Sequence, residues 1–184
     1  MPRAVSYHGD TREDEYAWLR DDNWQAVMKD PDALAGDIRA HLEAENVYTD
    51  TIMQATQELQ DALFEEMRGR IEEDDASVPV TIGKQGWATR YRKDGEHVLV
   101  CWGKPDTRVE DMQVALDGNI QAAGCDYFKL AAYTPSPDGL MLAWSYDDKG
   151  SEYFTIRVRA LADGKDGDTQ LLDTTGTGRW SADN

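Results

Sequence analysis

Cysteine is scarce in this chain. The 184 residues hold two, Cys101 and Cys125, too few for a disulfide framework or a four-ligand zinc site. Free buried thiols are the expectation for both. Histidine is limited to His8, His41 and His97. Long apolar runs are missing too. Mean hydropathy is −0.68, and no stretch approaches the ~18 apolar residues of a membrane span. The opening Met1-Pro-Arg-Ala-Val-Ser-Tyr-His8 lacks the apolar segment of a secretory signal, so the expected address is cytoplasmic, with no membrane partner. Positive charge is short: 19 Lys and Arg stand against 36 Asp and Glu, a net charge of −17. Such a surface repels phosphates, which argues against a nucleic-acid partner. It attracts cationic ligands or basic peptides more readily.

The motifs of common catalytic centres are missing as well. There is no Gly-x-Ser-x-Gly elbow, Ser-x-x-Lys, His-Glu-x-x-His or phosphate-binding loop. Gly176-Thr-Gly178 is too short for a dinucleotide site and opens no helix. Asp163–Asp168 hints at a calcium loop, but Lys165 takes its third position and Thr174 its twelfth, where acids are needed. His8 and Asp10 are close enough in sequence to pair, yet a turn histidine is the simpler expectation. Glu72-Glu73-Asp74-Asp75 reads as a solvated linker, since adjacent carboxylates do not converge on a metal without a turn that aims them. No residue is assigned as catalytic, cofactor-binding or metal-binding, and no cofactor is expected.

What is present divides the chain in two. Residues 1–75 carry 20 acidic and 7 basic side chains, a net of −13, while residues 76–184 carry 16 and 12, a net of −4. Asp30-Pro31 is a helix-start pair. Beyond it Leu34, Ile38, Leu42, Tyr48, Ile52, Ala55, Leu59, Leu63 and Met67 recur at helical spacing. This predicts one kinked helix or two, over 31–54 and 57–69, with Thr56 able to cap the second. The preceding aromatic stretch, with Tyr16, Trp18, Leu19 and Trp24, is expected to lie against another surface.

From about residue 78 the pattern becomes short strands and glycine turns. Leu140–Trp144 reads as a buried strand and Asp147–Gly150 as a hairpin loop. Phe154, Ile156, Val158 and Ala160 alternate with Thr155, Arg157, Arg159 and Leu161, which predicts a strand with one apolar face. Val98–Trp102 follows the turn at Lys93-Asp-Gly95 in the same manner. Asp94-Gly95 recurs as Asp138-Gly139 and as Asp183-Asn184, at spacings of 44 and 45 residues. Ala115-Leu-Asp-Gly118 recurs as Leu161-Ala-Asp-Gly164, shifted by 46. A period near 45 with about four strands per unit is the mark of β-propeller blades. The predicted class is α+β. Domain 1–75 is an aromatic arm and helical extension. Domain 76–184 is an incomplete antiparallel propeller of about two blades and the start of a third.

Several strings resemble the prolyl oligopeptidase family of serine peptidases, and within it most resemble oligopeptidase B (protease II). They are His8-Gly-Asp-Thr-Arg12, Tyr16-Ala-Trp-Leu-Arg-Asp-Asp-Asn-Trp24, Leu42-Glu-Ala-Glu-Asn46 with Tyr48, and Glu66-Met-Arg-Gly-Arg70-Ile71. Ser77-Val-Pro79, Leu116-Asp-Gly-Asn119, Ser136-Pro-Asp-Gly139, Gly150-Ser-Glu-Tyr153 and Arg157-Val-Arg159 follow in the family's order. The stretch Gly86–Arg90 and Cys101-Trp102 depart from the pattern. The resemblance implies a longer parent chain in which a helical extension packs on a C-terminal α/β-hydrolase domain and a propeller gates the site. That absent domain would hold the Ser-His-Asp triad and cleave short peptides after Lys or Arg. This portion would then be inactive alone. Two other readings stay open: a free-standing acidic interaction module without catalysis, and a small enzyme with an unrecognised site.

Overall fold

The computed structural model describes residues 2–183. Two compact units divide the chain, Met1–Arg70 and Ile71–Asn184.

The first unit opens with a hairpin of β1 (Arg3–Tyr7) and β2 (Asp10–Asp14). Its two-residue turn is His8-Gly9, both with positive φ (53° and 88°), as a tight hairpin turn requires. A short 3₁₀ turn at Ala17–Leu19 leads to α1 (Trp24–Lys29). Asp30 and Pro31 do start a helical turn, but only a 3₁₀ one over Pro31–Ala33, capped by the Asp30 carboxylate on the Asp32 amide at 3.2 Å. The long helix α2 (Gly36–Met53) begins later. Asp21 fixes that start, accepting from the amides of Asn23 (2.8 Å) and Ala35 (3.0 Å). Those two donors hold its carboxyl below the ordinary range. A 3₁₀ turn at Gln54–Thr56 joins α2 to α3 (Gln57–Arg68). Thr56 sits at the cap position of α3, but its hydroxyl turns back to the Met53 carbonyl at 2.7 Å instead of capping. The apolar side chains Leu42, Tyr48, Ile52, Leu59, Leu63 and Met67 of the two helices are exposed, and Ile38 alone among the residues of α2 and α3 is buried.

In the second unit, the sheets are two four-stranded meanders in which each strand runs antiparallel to its neighbour in sequence. The first comprises β3 (Val80–Ile82), β4 (Gln85–Arg90), β5 (Leu99–Gly103) and β6 (Gln113–Asp117). After a short helix α4 (Gly118–Ala122) come β7 (Lys129–Pro135), β8 (Met141–Asp147), β9 (Phe154–Ala160) and β10 (Asp166–Thr174). Asp74–Ser77 is not a free linker. Asp74 pairs with Arg90 at 3.2 Å, Tyr91 donates to the Asp75 carbonyl, and Ser77 donates to Thr89. The end of the acidic run thus prolongs the line of β3 along β4, after an interruption at Pro79, which has no amide to give. No strand follows β10 among the described residues, so the expected opening of a third unit is not seen there.

The sheets share one core. Trp87, Val100, Ala115 and Leu116 of the first pack with Leu142, Trp144 and Leu161 of the second. A buried tryptophan removes roughly 200 Å² from water, worth about 5 kcal/mol at ~25 cal/mol/Å². The reverse side of the first sheet carries a smaller cluster, Ala88, Leu99 and Cys101 under Met112.

The 45-residue repeat does not map onto this architecture. Asp94-Gly95 lies between the second and third strands of the first sheet, whereas Asp138-Gly139 lies between the first and second strands of the other. Asp117-Gly118 leaves the last strand of its sheet, while Asp163-Gly164 joins the last two of the next. Asn184 of the third copy lies outside the described residues. Asp-Gly is turn chemistry and suits any tight reversal, so its spacing recorded turns rather than equivalent ones.

Candidate functional site

The seam between the sheets holds the most constrained polar group of the second unit. Arg159 on β9 is buried, with 8% of its surface exposed. Its Nε and Nη2 donate to the two carboxylate oxygens of Asp166, each at 2.8 Å, while Nη1 reaches the Ala115 carbonyl of the opposite sheet at 3.2 Å. Trp144 Nε1 donates to the same carboxylate at 2.9 Å, and the guanidinium stands over the Trp144 ring at 5.4 Å. Burial acts to raise the Asp166 carboxyl, but the Arg159 and Trp144 donors outweigh it, and its pKa is lowered. The expected facing of β9 holds at Phe154, which is buried, and reverses at the other end of the strand. There Arg159 is buried and Ala160 exposed, because a bidentate carboxylate and an indole satisfy the arginine in the seam.

A second tie joins the sheets at their first turns. Gln85 Nε2 donates to the Gly139 carbonyl at 2.8 Å. The Ser136–Gly139 turn that presents this carbonyl is held internally. Ser136 Oγ donates to Asp138 at 2.6 Å, and the same carboxylate accepts the Leu140 amide at 2.9 Å. Gly139 has φ +73°, and a Cβ there would meet the Gln85 amide at 2.9 Å. Beside this tie opens a crevice of about 690 Å³, bounded by Ile82–Gln85, Thr134–Gly139, Arg179 and Trp180.

The residues singled out in the sequence lie apart. His8 is a turn residue. The His41 ring sits edge-on to Trp18 at 5.1 Å, and His97 edge-on to Phe128 at 5.2 Å. Cys101 is buried, and burial pushes its thiol up; Cys125 is exposed, not buried as expected, because it follows α4 at the surface. Asp166 of the loop Asp163–Asp168 is committed to Arg159. Gly176 serves packing: its carbonyl accepts from Ser145 Oγ, and a Cβ would strike the Phe154 ring at 2.8 Å. In the aromatic arm Tyr16 and Trp24 are 69% and 49% exposed. Among the described residues no three His, Cys, Asp or Glu side chains are grouped to hold a metal, and no helix is long and apolar enough to cross a membrane. The sequence by itself gives Arg159, Asp166, Gln85 and Trp180 no role in joining the sheets. A charged residue on a strand reads as solvent-facing until its partner, here in another strand, is known.

Residues 2–184 match the sequence profile of the prolyl oligopeptidase N-terminal beta-propeller domain. The chain belongs to the prolyl oligopeptidase family. Within that family, dipeptidyl aminopeptidase BI of Pseudoxanthomonas mexicana is 36% identical over 172 residues, covering 86% of this chain and 22% of that protein. Protease 2 of Moraxella lacunata is 28% identical over 170 residues, covering 90% and 23%. Among solved structures, oligopeptidase B from Leishmania major superposes with a TM-score of 0.82 at 27% identity, covering 96% of this chain and 26% of that one. Oligopeptidase B from Trypanosoma brucei, in a closed form with covalently bound antipain, gives 0.80 at 25%, covering 98% and 26%. The chain thus spans about a quarter of the length of these relatives. It corresponds to the N-terminal part of a prolyl oligopeptidase family peptidase, and in its relatives that part belongs to a larger chain.

Proposed function

We propose that this polypeptide is the non-catalytic N-terminal portion of a serine oligopeptidase resembling oligopeptidase B. The observation that carries the reading is the pair of equal four-stranded meanders stacked on one aromatic core. One such sheet cannot bury both faces and must stack on neighbours. On this reading residues 76–184 supply the first two blades of a propeller. Residues 1–75 form an arm whose exposed row of Leu42, Ile52, Leu59, Leu63 and Met67 covers the C-terminal α/β-hydrolase domain of the parent protein. The blades act by access, admitting short peptides and excluding folded proteins, which needs geometry rather than catalytic side chains. Cleavage after Lys or Arg belongs to that C-terminal domain, and the acidic surface steers basic peptides toward it. The soluble interior of the cell is the proposed location.

The test compares two proteins. The 184-residue chain is expected to leave chromogenic peptides ending in Arg or Lys uncleaved and to take no label from serine-directed phosphonates. The product of the full reading frame should cleave these peptides and take the label, through a serine of its C-terminal domain. Turnover or labelling by the short chain refutes the proposal. A salt-insensitive rate for basic peptides refutes the steering. The 36% identity to a dipeptidyl aminopeptidase supports a second reading of the parent's specificity, release of amino-terminal dipeptides. Blocking the substrate's amino terminus separates the two: turnover persists under the first and stops under the second.

A further inference from the structure

The crevice beside the Gln85–Gly139 tie has the wrong sign for this protein. The chain carries a net charge of −17, yet the crevice presents Lys84 and Arg179, and neither makes an ion pair with a described residue. Its one lining carboxylate, Asp138, accepts from Ser136 Oγ and the Leu140 amide, so two cations stand against one carboxylate. Lys84 sits in the two-residue turn between β3 and β4, fixed by the Ile82–Gln85 pairing and by Gly83 at φ +62°. The wall beside Arg179 is fixed as well, because Trp180 Nε1 donates to the Thr134 carbonyl at 2.9 Å. Ile82, Pro135 and Pro137 add apolar surface.

We propose that this crevice binds the C-terminal carboxylate of a short peptide, an inference that does not rest on the gating role. An arginine fork takes a carboxylate through two parallel hydrogen bonds, and a lysine adds a point charge. The volume, about 690 Å³, falls within the range of roughly 300–1,000 Å³ of small-ligand sites. A peptide terminus carries its carboxylate and its last side chain on one carbon, which matches cations set beside an apolar wall. An Asp or Glu side chain ends in the carboxylate and offers that wall nothing.

The experiment titrates the 184-residue chain with Ac-Ala-Ala-Leu as the free acid, as its C-terminal amide, and with Ac-Ala-Asp-Leu-amide, following the Trp180 indole N–H by NMR. The free acid should shift that signal and bind at least about tenfold more tightly than either amide, with an affinity that falls as salt rises. Lys84→Gln with Arg179→Gln should abolish the preference. Both side chains are exposed, so an unchanged circular dichroism spectrum is expected for the variant. Arg179→Lys should keep part of the preference, since charge remains and the fork is lost. Equal binding of acid and amide, or an acid preference that survives the double variant, overturns the site. Equal binding of the Asp peptide overturns the choice of the terminus. Should the double variant unfold, the acid–amide comparison on the unaltered chain still decides.

Discussion

At the scale of the residue, Arg159 shows how one buried charge can join two sheets. Removing it takes the bidentate partner from the half-buried Asp166, whose remaining cation, Arg157, stands 3.8 Å away. Arg159→Ala is therefore expected to destabilise the second unit by about 2–3 kcal/mol, measured by urea unfolding. Replacing both members, Arg159→Met with Asp166→Leu, should recover part of this. A deficit of roughly 1–3 kcal/mol would remain for Trp144 Nε1, which loses its acceptor. Asp147 makes a second residue-scale case. It is buried, which raises its carboxyl, but the amides of Lys149, Glu152 and Gly150 and the Ser151 residue together lower it. Asp166 is lowered as well. A depressed folded value means that the unfolded chain binds more protons in the acid range, so stability rises with pH there. Both contributions are fully present above the unfolded value of about 3.9 and drain away as pH falls through the folded values. Urea midpoints taken from pH 7 downward should hold until about pH 4 and then fall. Asp147→Asn should flatten that acid limb, at the cost of a less stable protein at neutral pH.

At the scale of the element, the turns carry constraints that the strands do not. Gly176 follows β10 with φ +83° and has the Phe154 ring 2.8 Å and the Ala131 Cβ 3.2 Å from where a Cβ would stand. Gly176→Ala combines backbone strain with overpacking, and a loss of about 2–4 kcal/mol is expected from the two together. Gly164→Ala provides the comparison. It shares a positive φ, +68°, but meets nothing within 4 Å, so it should cost only the strain, about 1 kcal/mol. Similar losses at the two positions would show that the Phe154 contact contributes nothing. The helices differ in kind from the sheets. Their backbone hydrogen bonds are local, while most of their apolar side chains await a surface that the described residues of their own unit do not supply.

At the scale of the whole molecule, the chain is two units rather than one. The sheets' ladders and their common core lie beyond residue 71, so that unit contains its own main source of stability. Limited trypsin digestion should cut at the exposed Arg68 and Arg70 and release a fragment starting near Ile71. That fragment is expected to keep its β-type circular dichroism and to unfold cooperatively. Immediate degradation of the fragment would show that its fold depends on the first unit.

Much of this was legible from the residues. Local signals do not depend on partners, so the helical stretch, its interruption near Thr56, the histidine turn and the strands around Leu142 and Ile156 could be placed from spacing and turn chemistry. The family strings, read in order, located the chain within its family. Equivalence between turns could not be read in this way, because Asp-Gly suits any reversal. The burial of Arg159 on β9 could not either, since arginine is polar in isolation and becomes a core residue only when Asp166, Trp144 and the Ala115 carbonyl surround it. Local sequence determined which segments form helices and strands; the stacking of one sheet on another decided which of their residues meet, because those contacts join positions up to 54 residues apart.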